Sequence, residues 1–445
     1  MFLGFGNLVS LVLDIPVSQL QRYFSAKQLF TFSGLSMLTA GVIFMKFIYA
    51  SSLFSGGGGE GKVVSLLEMF LDSGTNLLLL VVASGLYGIA KEINDLTTLS
   101  YILNNADPSE YGTIISKNNI FAGGGSLLGL VSSGFILAIN PTVAVMVLVA
   151  FIVVLIVFIL NYFDNSERTV DFSAITKLKI VAPKPNVENV KEVVKEYAVG
   201  YLSKADFAAS AKNFKFVFLK PMAPKEPFKL GKMIEETKKE AKNIRAVLAE
   251  NPLHWGVLWS ASVVLAFGFW DTFASSFLIE YLAKISSPQM AYVLLGIIAI
   301  PAFVAQDFFI GLSKRVGILP IVSVGIVASG VSLVMMSVSD SVWMFLGLGL
   351  LNSLGYAAGM GISQGVFLDV YNGFYAKKFN LTEIDSNASA SPMKIIQNLA
   401  NVVGLCLGGL LLAIFGFSGF FVVFGAMLLS GAVASIKYRK RISME

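Results

Sequence analysis

Long apolar blocks alternate with short polar ones along most of this chain. As helices, the blocks are long enough to cross a hydrocarbon core of roughly 30 Å. The pattern predicts eleven spans, near 2–22, 28–50, 74–103, 115–139, 141–162, 255–283, 289–312, 317–338, 341–371, 389–415 and 417–437. The short alternating strands of a membrane barrel are not part of the pattern, so helices must satisfy the backbone hydrogen bonds. Five spans precede a polar segment at 164–253 and six follow it. The expected architecture is an all-α polytopic membrane protein with an N-terminal half at 1–163, a linker at 164–253 and a C-terminal half at 254–445.

Two echoes connect the halves. Asp14-x3-Ser18-x3-Arg22 closes the first block, and Asp307-x3-Gly311-x3-Arg315 closes the seventh, 293 positions later. Gly129-Leu130 … Gly134 … Leu137-Ala138-Ile139 returns as Gly404-Leu405 … Gly409 … Leu412-Ala413-Ile414, 275 positions later. Two echoes in one order indicate a membrane unit present twice, a transporter architecture.

Composition agrees: 55% of the 445 residues are hydrophobic and 14% charged, against about 25% charged in an average chain. The linker is different material, with 17 of the 33 basic and 12 of the 28 acidic residues. Within it, Val187 to Tyr201 carries apolar residues at helical spacing among lysines, and Lys229 to Leu248 reads as a charged helix ending before Pro252. It is expected to be a solvated linker whose helices lie on the membrane surface. A contact with anionic lipid or a protein partner is the sharper alternative.

Basic residues orient the chain. If the spans alternate, Arg22 and Lys27, Lys314 and Arg315, Lys377 and Lys378, the linker, and Lys437-Tyr438-Arg439-Lys440-Arg441 share one side, the cytoplasm. The net charge of +5 comes from these cytoplasmic lysines and does not indicate nucleic acid. One cysteine, Cys406, and one histidine, His254, allow no internal disulfide and no Cys/His metal cluster; no cofactor is expected. No Gly-x4-Gly-Lys-Ser/Thr phosphate loop occurs, so ATP bound to this chain would not drive it. No acid–base or nucleophilic constellation suggests an enzyme.

The loop motifs resemble those of the major facilitator superfamily, whose members have two six-helix halves joined by a cytoplasmic linker. Gly311-Leu312-Ser313-Lys314-Arg315-Val316-Gly317 is similar to that family's loop signature between its eighth and ninth helices, with Lys314 where an acid is usual. Leu20-Gln21-Arg22-Tyr23-Phe24-Ser25-Ala26-Lys27 is a degraded form of the stronger signature between the second and third helices, without its acid. The physics of the motif is a tight glycine turn beside a charge that latches neighbouring helix ends. Asp14 and Asp307, two turns earlier, are candidates for that charge, with Arg22, Arg315, Gly311 and Gly317 completing the gating set. Gly125-x3-Gly129-Leu130-x2-Ser133-Gly134 resembles the family's antiporter signature, and tilts direction slightly toward export. Helix packing is the simpler use of Gly125, Gly129, Gly134, Gly404 and Gly409. The resemblance leaves the family's first helix without a counterpart. The chain is therefore expected to begin at an internal or fragment boundary, the alternative being a true eleven-span protein.

Ionisable groups in lipid are costly and face cavities. Asp271, in Phe269-Trp270-Asp271-Thr272-Phe273, is the leading candidate for proton or substrate binding, because carboxyls in apolar surroundings hold their protons more tightly. In the third span, Lys91 and Asp95 share a face and can neutralise each other, leaving Glu92 to point into the bundle. Asn352, Tyr356, Gln364 and Asn398, with Gln397 and Asn401, could line the same path or glue helices together. These features predict a secondary active transporter working by alternating access, the two halves rocking around a midplane cavity. Protons are the expected drive and a small amphipathic molecule the expected substrate, with export favoured over import. The amphipathic reading rests weakly on 36 phenylalanines. A non-transporting scaffold or sensor signalling through the linker is the competing class.

Overall fold

The computed structural model describes residues 2–50, 74–105, 125, 141–162, 228–250, 254–381 and 386–438. All the regular elements among them are helices. They are α1 Phe2–Leu20, α2 Ala26–Ala50, α3 Gly74–Asn105, α4 Pro141–Tyr162 and α5 Leu230–Glu250. There follow α6 Trp255–Ile285, α7 Pro288–Val304, α8 Gln306–Val316, α9 Ile318–Met336, α10 Val342–Phe379 and α11 Ser386–Lys437. Of the predicted spans, 115–139 lies outside the described residues except for Gly125, which is exposed; Gly129 and Gly134 fall in the part not described.

The chain forms two compact units. The first takes in α1, α2, α3 as far as Tyr101, α4, and α5 as far as Ala241; the second takes in the end of α3 from Ile102, Gly125, and the chain from Lys242 onward. The charged helix α5 therefore shares its residues between the two units.

Five helices among the described residues are long and apolar enough to cross a bilayer: Trp255–Ile285, Met290–Val316, Ile318–Met336, Val342–Phe379 and Ala390–Lys437. The last has 48 residues, about 72 Å at 1.5 Å per residue, twice what a bilayer needs. It bends at Gly416, where φ is 65°, and so supplies the two spans predicted on either side of that residue. Valines 324, 327 and 331 form an exposed stripe on α9, and Leu407, Leu410 and Ile414 another on α11. Such apolar exposure suits lipid as the surrounding solvent.

Local chemistry sets the breaks. Ser287 caps α7, its hydroxyl accepting the Met290 N–H at 3.3 Å, and Pro288 occupies the first turn, where no donor is required of it. Pro301 lacks the N–H that would extend the helix ladder, and the chain turns at Ala305 before resuming as α8. Gly317 links α8 to α9 with φ 102°, a conformation that a side chain disfavours. The glycine turn expected of the loop motif is thus present in the backbone.

Packing in the second unit depends on close backbone approach and aromatic stacking. A Cβ on Gly355 would stand 2.4 Å from the Gly325 carbonyl oxygen, and one on Gly325 would stand 2.7 Å from that of Gly355, so α9 and α10 cross with almost nothing between them. Phe273 stacks on Phe420 at 3.6 Å and Trp270 on Phe424 at 6.2 Å, joining α6 to the second half of α11. Phe267, Phe273, Phe345, Phe367, Phe420 and Phe421 are all fully buried. These phenylalanines are packing material, so phenylalanine content carries no information about substrate.

Replacing Gly355 by alanine should lower thermal stability in detergent by about 1–3 kcal/mol, the usual cost of overpacking. Gly347, whose Cβ would meet nothing within 4 Å, is the control on the same helix. Equal stabilities for the two alanine variants would show that the α9–α10 crossing is looser than described.

Candidate functional site

Asp271 sits on α6 three residues before an irregularity in that helix. The α-helical ladder runs from Trp255 to Phe273, gives way to a π-helical turn at Ala274–Leu278, and resumes at Ile279. Single π turns inside α-helices re-aim side chains and are frequent at functional sites. The Asp271 side chain is exposed, whereas Trp270, Thr272 and Phe273 around it are buried. The flanking aromatics hold the helix in its packing while the carboxyl stays accessible.

A short polar string starts at the next residue. Thr272 donates its hydroxyl hydrogen to Asn401 Oδ1 at 2.8 Å, and Asn401 Nδ2 reaches Asn398 Oδ1 at 3.5 Å. Asn398 is buried. Gly404 permits this approach of α11 to α6: a Cβ there would lie 3.0 Å from both the Phe269 carbonyl oxygen and Thr272 Cβ. Gly409 stands where a Cβ would be 3.4 Å from the Phe277 ring. On α10, Tyr356 packs edge-on against Phe267 with ring centroids 5.6 Å apart. Asn398, Asn401 and Tyr356 thus lie on helices packed against α6, the helix that carries Asp271.

The other polar residues of that path have different surroundings. Asn352 is buried, and its side-chain amide lies 3.5 Å from the Ser329 carbonyl, while Ser329 Oγ donates to the Asn352 carbonyl at 3.2 Å. That reciprocal pair ties α9 to α10, so Asn352 sits in a helix seam. Gln364 is buried on α10. Gln306, also buried, places its amide oxygen 3.3 Å from where a Gly361 Cβ would stand.

In the first unit, Glu92 is fully buried and accepts a hydrogen bond from Ser10 Oγ. Beside it, Lys91 Nζ donates to Asn7 Oδ1 at 2.9 Å. Ser33 Oγ donates to the Ala90 carbonyl at 2.7 Å, bringing α2 to the same stretch of α3. Neither Ser10 nor Asn7 stands out in the sequence, since each is one small polar residue in an apolar block. Their role emerges only when α1 lies against α3.

The degraded loop signature recovers an acid from elsewhere in the chain. Tyr23 donates its hydroxyl hydrogen to Glu236 Oε2 at 2.7 Å, and Arg22 Nη1 lies 3.7 Å from the same oxygen. Phe228 packs edge-on against Tyr23 and tilted against Phe24, with centroids 5.7 and 5.4 Å away. The acid sits on α5, in the linker. Asp14 is fully buried in α1, and Asp307 lies in the first turn of α8, where the helix dipole favours a negative charge. Lys314 and Arg315 occupy the last turn of α8, exposed and complementary to its dipole, and Gly311 is half-buried between. The visible signal for Glu236 was the charged pattern of Lys229 to Leu248; its partner was not readable from it. Among the described residues no group of His, Cys, Asp and Glu is arranged to hold a metal ion.

Arg22→Gln and Glu236→Gln should be non-additive in a double-mutant cycle, with a coupling of about 0.5–1 kcal/mol for a pair of this exposure. Thermal unfolding in detergent measures it, and additive losses would remove the pair as a latch.

Comparison with known proteins supplies the context. The family profile described as Major Facilitator Superfamily matches residues 8–375. Among solved structures, the chain is similar to the proton:xylose symporter XylE, with a TM-score of 0.53 and 14% identity over 99% of this chain and 86% of that one; a further XylE structure is from E. coli. It is also similar to the human organic anion transporter MFSD10, with a TM-score of 0.55 and 12% identity over 98% and 83% of the two chains. A bacterial homologue of the iron transporter ferroportin aligns with a TM-score of 0.53 and 13% identity over 98% and 89%. No curated protein matches the sequence.

Proposed function

Because the chain belongs to the major facilitator superfamily, a family of membrane transporters, we propose that it is a secondary active transporter. Alternating access moves a small molecule, and protons drive the cycle. The observation that carries this reading is Asp271: an exposed carboxylate in a helix long and apolar enough to span the membrane, three residues before a π-helical turn. An ionisable side chain in such a helix is costly unless it serves a path. The adjacent Thr272–Asn401–Asn398 string offers hydroxyl and amide groups that can bind a polar part of a substrate. In this reading Asp271 takes up and releases the coupling proton, and Tyr356 helps to shape the site from α10.

Glu92 has a different place. It is buried against Ser10 in the first unit and acts there as a second proton-binding or positioning acid. An amphipathic substrate remains the favoured class; an organic anion transporter among the structural neighbours supports it more than composition does. Export is favoured over import by the resemblance of 125–134 to an antiporter signature.

A non-transporting sensor is the second reading, favoured by α5. Within the first unit its Glu236 holds the loop after α1 through Tyr23 and Arg22. A helix so held could report a state of the bundle to a soluble partner.

Proton movement in vesicles distinguishes the two readings. With purified protein in vesicles loaded with a pH-sensitive dye, a panel of small amphipathic compounds should include at least one that elicits proton flux. Asp271→Asn should abolish that flux while leaving thermal stability in detergent within about 0.5 kcal/mol of the parent, as for a surface change. Undiminished proton flux in Asp271→Asn removes this residue from the coupling mechanism.

A further inference from the structure

The helix α1 keeps its polar residues on its buried side. Asn7, Ser10, Asp14, Ser18 and Gln21 follow one another at spacings of three or four residues. At 3.6 residues per turn they fall within an arc of about 80° on α1 and the turn that closes it. All five are buried, whereas Phe5, Leu8 and Val12, across the helix, are exposed. The polar face therefore looks inward and the apolar face outward, the reverse of a helix on the surface of a soluble domain.

Against this face lies α3, running parallel to α1. A Cβ on Gly88 would stand 2.3 Å from the Gly6 carbonyl oxygen. Lys91 Nζ donates to Asn7 Oδ1 at 2.9 Å, and Ser10 Oγ donates to Glu92. Hydrogen bonds between the two helices thus hold the first part of the seam. Further along, Ser18 turns back to the Ile15 carbonyl at 2.7 Å. At Gln21 the pattern stops. Its side chain is 3% exposed, and neither Oε1 nor Nε2 has a hydrogen-bond partner among the described residues.

A buried amide without partners is costly, and internal water is the usual remedy, each molecule bonding about three polar groups that lack other partners. Asp14 lies one turn beyond Ser10 and two turns before Gln21, about 6 Å and about 10 Å along the helix. About three waters, spaced roughly 2.8 Å apart, bridge the longer interval. The next two residues, Arg22 and Tyr23, are those that Glu236 holds. The polar row therefore ends at the latch.

We propose that the polar face of α1 holds a file of water molecules joining the Glu92 carboxyl, by way of Asp14, to the loop that Glu236 holds. Gln21 anchors the file at the loop end, its Oε1 accepting from one water and its Nε2 donating to another. Glu92 exchanges its proton along this file. A proton leaves the carboxyl for the first water, each water hands one on to its neighbour, and the last releases one to solvent. Glu92 is left as the carboxylate, and the reverse sequence reloads it. Use of the file in coupling rests on the transport reading, whereas the waters themselves do not. All the residues concerned belong to the first unit, and Asp271 takes no part.

Radiolytic footprinting of the full-length protein in lipid nanodiscs tests the file. Hydroxyl radicals formed from bound water label the side chains beside it, including buried ones. Val17, on the same face between Asp14 and Gln21 and 2% exposed, should be labelled, and Val264 of α6, 0% exposed, should not. Infrared spectroscopy then follows the proton. The carboxyl stretch of Glu92 is the band lost in Glu92→Gln, recorded at a pH low enough for it to appear. On transfer to D2O it should shift about tenfold more slowly in Gln21→Leu than in the parent, as loss of one hydrogen bond from the file would cause. Leucine replaces the amide without removing a hydrogen bond to any described residue, so the variant is expected to fold, and thermal unfolding checks this. Labelling of Val17 no greater than that of Val264 in the parent would overturn the proposal. Equal exchange rates in the parent and Gln21→Leu would do the same. Neither measurement involves a substrate or Asp271, so a negative result leaves the transport reading standing.

Discussion

A bilayer core offers no water to a polar group, and that constraint explains most of what the helices do here. Each donor or acceptor within the span must find a partner inside the protein or pay several kilocalories per mole. Serines accordingly turn back on their own helices: Ser260 to the Gly256 carbonyl, Ser332 to that of Ser329, Ser435 to that of Gly431. Others tie helices together, as Ser353 does with the Ile298 carbonyl on α7 and Trp259 with Ser435. With lipid tails as apolar as leucine, close packing replaces the hydrophobic effect between helices, hence the bare crossing at Gly325 and Gly355. Against this background an exposed carboxylate at Asp271 is out of keeping with a lipid-facing surface and suits a water-filled path.

The same helix presents two chemically opposed faces. One carries Asp271 and, through Thr272, the polar string into α11. Another, carrying Trp255, Trp259, Ser262 and Ala266, lines an apolar slot in which Trp259 donates to Ser435 and Ser262 to the Leu258 carbonyl. A π-helical turn after Phe273 separates the straight first part of α6, which holds the slot, from the short segment that follows.

Helix existence was legible in the sequence because lipid imposes length and polarity together: α4 begins and ends where the apolar block does, and Gly416 divides the two last spans as expected. The Gly317 turn was legible for the same kind of reason, since one residue type suits its backbone. What could not be read were interactions between distant segments. Glu236 is separated from Tyr23 by 213 positions, and nothing in either local pattern pairs them; the expected acids were Asp14 and Asp307. Asn352 was readable either as a path residue or as glue between helices, and it sits in the α9–α10 seam, a distinction that composition does not make. The π turn after Asp271 leaves no mark on hydrophobic periodicity, and buried phenylalanines cannot be told from lipid-facing ones until helices are packed.

The most direct measurement is aqueous access to position 271 in intact membranes. Cys406, the single cysteine and an exposed one, is first changed to serine; Asp271→Cys and, separately, Val324→Cys are then introduced. Val324 is 66% exposed on the apolar stripe of α9 and reports a surface in contact with lipid. The account predicts that a membrane-impermeant thiol reagent modifies the cysteine at 271 and spares the one at 324. Failure to modify position 271 under conditions that label a loop cysteine would contradict it, placing Asp271 away from water and ending its candidacy as the coupling acid.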